Sequence, residues 1–226
     1  MLKLYFLRHG QTEYNVMMHV QGWNDSPLTE LGIYQAKCAG YGARNIVFTH
    51  AYSGDCGRQI ETAKTFMSQN LHPIEIIPDM HFREMSYGGF ENGSYQDMLG
   101  KLYEDVGAEF DGYDGLYRYY DAIQIGAKIE ENDKSGKFEG NEKATKRILE
   151  GISILAQKHP NGDILISTSS YIIALLIHHL FPDIPQDSLV GNGSLTIIGH
   201  QNGKFEMLSY NDLSYRQDGE KHFRNE

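Results

Sequence analysis

Apolar residues fill positions 2–7, interrupted only by Lys3, and the run is the length of a strand with both faces covered. Shorter runs of the same kind at 46–49, 74–77, 164–167, 195–199 and 205–210 predict five further strands. The last two flank Asn202 and Gly203, the residue pair that favours a tight hairpin. Helical spacing separates these runs. Thr29 is a candidate N-cap for a helix with Leu31, Tyr34, Cys38 and Tyr41 on one face and Gly42 as its stop. A later helix carries Ala144, Ile148, Ile152 and Leu155 as an inner stripe and ends at the HPNG of 159–162. The run YIIALLIHHL at 171–180 reads as a buried helix. Alternation of this kind predicts an α/β fold, a three-layer αβα sandwich whose mostly parallel central sheet carries helices on both faces.

Residues 94–134 break the alternation. Tyr95, Met98, Leu99, Leu102, Tyr103 and Val106 sit at helical spacing, and Tyr113, Leu116, Tyr117, Tyr120 and Ile123 do so again after a glycine-containing break. This predicts a helical cap inserted into one domain covering 1–226. The insertion holds ten carboxylates against four bases, a local balance of −6 out of the chain's −10. Packing the hairpin onto the sheet is the ordinary role of such an aromatic stripe. Folded over the strand ends, the same rings would favour a substrate with an apolar or ring portion.

The acidic balance argues against nucleic acid as a partner, since phosphate backbones are bound through clustered Lys and Arg. No apolar run approaches the roughly 18 residues of a membrane span, and the strand at 2–7 leaves no room for a leader segment, so a cytoplasmic protein is expected. Cys38 and Cys56 form no CxxC pair, which leaves a disulfide framework or a zinc site unsupported. His178 and His179 are adjacent on a helix and point about 100° apart, so they read as helix residues rather than a ligand pair.

Candidate chemistry follows the strands. In an open α/β sheet the ligand site lies outside the carboxyl ends of the strands, and Arg8, His9 and Gly10 follow the first one directly. Arginine offers a planar fork of donors to an anion, glycine permits close backbone approach, and neutral imidazole is a competent nucleophile near pH 7. Arg58 falls at the start of a helix after the second strand, where the helix dipole favours the same anion. Glu84, beside the Gly-Gly turn of FREMSYGGF, is a candidate general acid and base.

The order Leu7-Arg8-His9-Gly10, Thr12 and Asn15, then Gln21-Gly22 and SPLTELGIYQA at 26–36, resembles the histidine phosphatase superfamily, the phosphoglycerate mutase-like proteins. The resemblance spans nearly the whole chain outside 94–134. It implies His9 as the phosphate-accepting nucleophile, Glu84 as proton donor, and Arg8, Asn15 and Arg58 as phosphate-binding residues, with Gln21 and Gly22 as further pocket residues. It places 139–147 on a late helix of the family. It implies no cofactor and no metal, and a small-molecule phosphate ester as the partner, with no membrane; a homo-oligomer stays open.

One family feature is absent. The strand at 164–167 is followed in the family by a His-Gly pair whose histidine helps hold the transferring phosphoryl group, and here the chain reads STSSYIIALL. Thr168 and Ser169 stand there, or Ser170 after a one-residue slip. His50 and His81 are geometric candidates to replace the imidazole. The resemblance therefore implies a phosphatase acting on small phosphate monoesters, with activity reduced by Thr168. A catalytically impaired phosphate-binding or regulatory protein is the alternative. A true mutase fits less well, because the basic cap segment of the mutases is not visible.

Overall fold

The computed structural model describes residues 1–186 and 188–224. Six strands, β1 (Leu2–Arg8), β2 (Phe48–Ser53), β3 (Ile76–Pro78), β4 (Gly162–Thr168), β5 (Leu195–Gln201) and β6 (Lys204–Asp212), form one sheet in the order β3-β2-β4-β1-β5-β6. β1 and β2 both pair parallel with β4, and β2 with β3, whereas β5 runs antiparallel to β1 and to β6. The fold is the expected α/β architecture with a mostly parallel sheet.

β1 lies between two strands, and its side chains divide between two cores. Leu2, Leu4 and Phe6 join a large cluster on one face, while Tyr5 and Leu7 join a smaller one on the other. Asn202 and Gly203 turn the β5–β6 hairpin with φ of 52° and 74°, the left-handed geometry such a turn requires. β2 begins two residues later than the sequence suggested and continues through His50 to Ser53. Pairing with β3 and β4 on both sides carries its polar residues into the sheet.

The helices are α1 (Glu13–Met17), α2 (Glu30–Gly42), α3 (Gly57–Met67), α4 (Tyr95–Asp105), α5 (Ala122–Asn132), α6 (Asn141–Lys158), α7 (Ser170–Leu180) and α8 (Ser214–Phe223). Thr29 caps α2, its hydroxyl accepting from the Gly32 amide. The buried face of α2 differs from the expected one. Cys38 is buried as expected, but its inward companions are Gly32, Gln35, Ala36, Ala39 and Gly40, and Leu31 is 49% exposed. Small residues are required there: a Cβ on Gly40 would lie 2.1 Å from the Phe66 carbonyl of α3. Tyr34 and Tyr41 instead meet α8, where Tyr41 stacks on His222 at 3.9 Å. The inner stripe of α6 is Ala144, Ile148, Ile152 and Leu155 as read, and the buried run of α7 ends in exposed His178 and His179.

The 94–134 segment is a hairpin of α4 and α5 with a 3-10 turn, Asp114–Arg118, between them. Met98, Leu99, Leu102, Tyr103, Leu116, Ile125 and Ile129 join it to the larger core. Nine of its ten carboxylates are exposed; Asp133 is half-buried and accepts from the amides of Gly89, Ser135 and Phe138. No helix among the described residues is long and apolar enough to cross a membrane.

Candidate active site

β1 delivers Arg8 and His9 to the carboxyl edge of the sheet. The His9 backbone is held from both sides, its amide donating to the Thr168 carbonyl at 3.0 Å and its carbonyl accepting from Asn192 Nδ2 at 2.8 Å. Its ring Nδ1 lies 2.8 Å from the Gly10 carbonyl oxygen, which can only accept. Nδ1 therefore carries the proton, and Nε2 keeps the lone pair. Gly10 has a structural task here: a Cβ at this position would fall 2.2 Å from the Gly32 carbonyl oxygen at the start of α2. Burial, with help from the Arg58 and Arg8 guanidinium groups, holds the His9 pKa well below its ordinary 6.5. The imidazole is neutral and nucleophilic at neutral pH.

Glu84 follows a short 3-10 turn, Met80–Phe82, and is 5% exposed. Its two carboxyl oxygens accept from the Met85 amide at 2.8 Å and the Tyr171 amide at 3.3 Å. Burial nevertheless outweighs these amides and the neighbouring arginines and raises its pKa above 4.5. The segment carrying it is clamped from α6. Arg147 donates to the carbonyls of Met80, His81, Arg83 and Glu84 and pairs through two 2.8 Å bonds with Glu139. Glu139 itself precedes α6 rather than lying on it.

Arg8, His9, Asn15, Gln21 and Glu84 line one cavity with Tyr87, Tyr95, Met98, Tyr113, Ser170, Tyr171 and Leu189. Arg8 donates through Nη1 to the Val190 carbonyl, and its buried Nε has no partner among the described residues. Asn15 closes a capping box with Thr12 at the start of α1, and Gln21 bridges Thr12 and Ser26.

Four residues expected at the site occupy other positions. Arg58 is not among the lining residues; its terminal nitrogens are spent on the carbonyls of Gly22 and Asn24 and on Asp25 at 3.0 Å, leaving only Nε without a partner. Gly22 serves as that carbonyl acceptor and as a donor to Glu91. Thr168 is fully buried and donates its hydroxyl to the Phe82 carbonyl at 2.6 Å. The Ser169 hydroxyl accepts from Gln59 Nε2 at 2.7 Å. The residue that reaches the cavity is Ser170, whose Oγ accepts from the Val190 amide and keeps its own hydrogen to donate. The switch from the end of β4 to the first turn of α7 turns this side chain inward, and strand alternation alone did not reveal it.

His50 and His81 are not surrogates for an imidazole at the cavity. His50 lies inside β2 and stacks on His159, ring centroids 3.7 Å apart, while His81 pairs with Asp79 at 2.6 Å. Neither lines the cavity.

The family model of the histidine phosphatase superfamily (branch 1) matches residues 4–213. The probable phosphoglycerate mutase GpmB of Yersinia pestis is 40% identical over 92 residues, 41% of this chain. The chain thus spans 42% of the length of that curated relative. The solved phosphoglycerate mutase from Bacillus anthracis superposes with a TM-score of 0.84 and 30% identity, covering 97% of this chain and 96% of that one. YhfR of Bacillus stearothermophilus gives 0.75 and 25%, covering 96% and 100%. The alpha-ribazole phosphatase of Shigella flexneri, at 22% identity and a TM-score of 0.68 over 93% of this chain and 96% of that one, shares the fold.

Proposed function

Because the chain belongs to the histidine phosphatase superfamily, we propose that it hydrolyses small-molecule phosphate monoesters through a phosphohistidine on His9. The observation that carries this reading is one cavity holding two buried titratable groups pushed in complementary directions, the His9 imidazole towards its neutral base and the Glu84 carboxyl towards its protonated acid. His9 Nε2 attacks phosphorus in line, forming the P–N bond as the P–O bond breaks, and the Glu84 carboxyl gives its proton to the departing oxygen. The resulting carboxylate then takes a proton from water, which attacks phosphorus and returns His9 to its neutral form. Arg8 and the Ser170 hydroxyl stabilise the phosphoryl oxygens, and Arg58, behind the cavity wall, adds its positive charge at a distance. The guanidinium groups supply the charge that Mg²⁺ supplies elsewhere, so the reaction proceeds without a metal.

Phosphate release from glycerol 3-phosphate, followed across pH with and without EDTA, tests this. EDTA is expected to leave the rate unchanged. Burial lowers the His9 pKa, so kcat/KM rises as pH climbs through a value below 6.5; burial raises the Glu84 pKa, so kcat/KM falls as that carboxyl ionises above 4.5. Glu84→Gln removes the falling limb. Absence of release at every pH would overturn the enzyme reading.

A second reading, a catalytically impaired phosphate-binding protein, is favoured by Thr168, whose hydroxyl is occupied by Phe82. The two separate on Ser170. Loss of one aligned donor costs on the order of 10² in rate, so Ser170→Ala is expected to lower kcat/KM by about that factor in steady-state assays. Thr168→Val strands the Phe82 carbonyl and is expected to cost about 1–3 kcal/mol in urea unfolding. A rate loss that follows Thr168 and spares Ser170 counts against this assignment.

A further inference from the structure

The cavity is charged only at its phosphoryl end. Away from Arg8 and Glu84 its wall is Tyr95 and Met98 from α4, Tyr113 from the chain before the 3-10 turn, Tyr87, Tyr171 and Leu189. Among the described residues no lysine, and no arginine besides Arg8, lines it. The bases of the cap face outward: Lys101 pairs with Asp105, Arg118 with Asp111, and both are 59% exposed. Lys128 covers the Tyr120 ring.

The tyrosine hydroxyls are not equivalent. The Tyr171 hydroxyl shares its one hydrogen between Asn141 Oδ1 at 2.7 Å and the Ala122 carbonyl at 2.9 Å, tying α7 to the cap. Tyr103 donates to the Gly112 carbonyl at 2.8 Å, fixing the turn at Gly112, φ 67°, that presents the next residue. That residue is Tyr113. It is 6% exposed, its ring packs edge-on against Tyr95 at 6.1 Å, and its hydroxyl has no partner among the described residues. Buried hydroxyls nearly always find a partner, and Tyr113 belongs to the cavity wall, so its unpaired donor and acceptor is available to a ligand there.

Resting on the phosphatase reading above, we propose that the cap selects phosphate monoesters whose leaving group is uncharged and hydroxylated, a neutral polyol or sugar, with Tyr113 reading one of its hydroxyls. A carboxylate in this wall would lose its water and find no cation, which is costly. An alkyl group would leave the Tyr113 hydroxyl stranded. The proposal thus excludes phosphoglycerates from the favoured substrates.

Three esters of one size test it: glycerol 3-phosphate, 3-phosphoglycerate and propyl phosphate. For the native protein kcat/KM is expected to be ~10² higher for glycerol 3-phosphate than for 3-phosphoglycerate, a discrimination within reach of a site that hydrogen-bonds its substrate. Tyr113→Phe, which keeps the ring, is expected to lower the glycerol 3-phosphate to propyl phosphate ratio by about tenfold, one hydrogen bond's worth of selectivity. The same three esters are titrated calorimetrically into His9→Ala, so that selectivity is read without turnover. Equal or better hydrolysis of 3-phosphoglycerate, or an unchanged ratio in Tyr113→Phe, overturns the proposal while the phosphatase reading stands. Selective binding without hydrolysis by the native protein upholds the proposal and removes the phosphatase reading. Unselective binding by His9→Ala overturns the proposal even if no ester is hydrolysed.

Discussion

His9→Ala is expected to abolish turnover of every phosphate ester, a fall on the order of 10⁶ in kcat, the scale seen when a covalent nucleophile is removed. The magnitude follows from the site having no substitute. Among the described residues His9 is the only imidazole lining the cavity, and its Nε2 is available because Nδ1 is committed to the Gly10 carbonyl. Rapid quench with a labelled ester should trap an acid-labile, base-stable phosphoenzyme in the native protein and none in the variant. A phosphoenzyme that survives His9→Ala would place the nucleophile elsewhere. The backbone contacts of His9 to Thr168 and Asn192 do not involve the ring, so the variant should fold.

The largest loss of stability is expected from Arg147→Met. The guanidinium and the Glu139 carboxylate are each 11% exposed, and removing the cation leaves that carboxylate buried together with the stranded carbonyls of His81 and Arg83. Breaking a buried pair from one side costs about 3–5 kcal/mol, measurable as a lower urea midpoint at an unchanged slope. Arg147→Met combined with Glu139→Met should recover part of that loss, because the orphaned charge is gone. Activity should not recover with it. Trp23 Nε1 still holds the Glu84 carbonyl in both variants, but the His81 and Arg83 carbonyls just before it stay unclamped, and the acid that must meet the leaving oxygen loses its alignment. A single variant as stable as the native protein would contradict this account of the clamp.

Much of this molecule is legible wherever the physics is local. Strand 2–7, the Thr29 cap, the Asn202-Gly203 turn and the α6 stripe each rest on a pattern a few residues long, and the structure reproduces them. The misread face of α2 is different in kind. Its inward positions are chosen for closeness to α3 and to the Gln11 backbone, where a Cβ on Gly32 would lie 2.0 Å from the Gln11 carbonyl oxygen, so glycine and alanine outrank the exposed Leu31 and Ile33. α8 is polar in sequence and becomes a helix against Tyr34 and Tyr41, partners 170 or more residues earlier. At the site, the residues on strand ends and in the family motif could be read, whereas the commitments of Arg58 and Thr168 to backbone carbonyls could not. Those acceptors, Gly22, Asn24 and Phe82, reach them only through the folded chain. Tyr113 was read as part of an aromatic stripe; its unpartnered hydroxyl exists only once the cap has closed over β1.

The position of β1 in the sheet also bears on the order in which the protein can be made. Leu2 pairs with Gly162 on one side and His200 on the other, so both neighbours of the strand that carries the nucleophile are translated some 160 to 200 residues after it. Until then a nearly continuous apolar segment, high in β-propensity and charged only at Lys3 and Arg8, stays unpaired in the nascent chain. Contacts of such long sequence separation form slowly. Chains halted before β4 should therefore expose Leu2–Arg8 and aggregate, and a chaperone that holds extended apolar segments should find its binding site there.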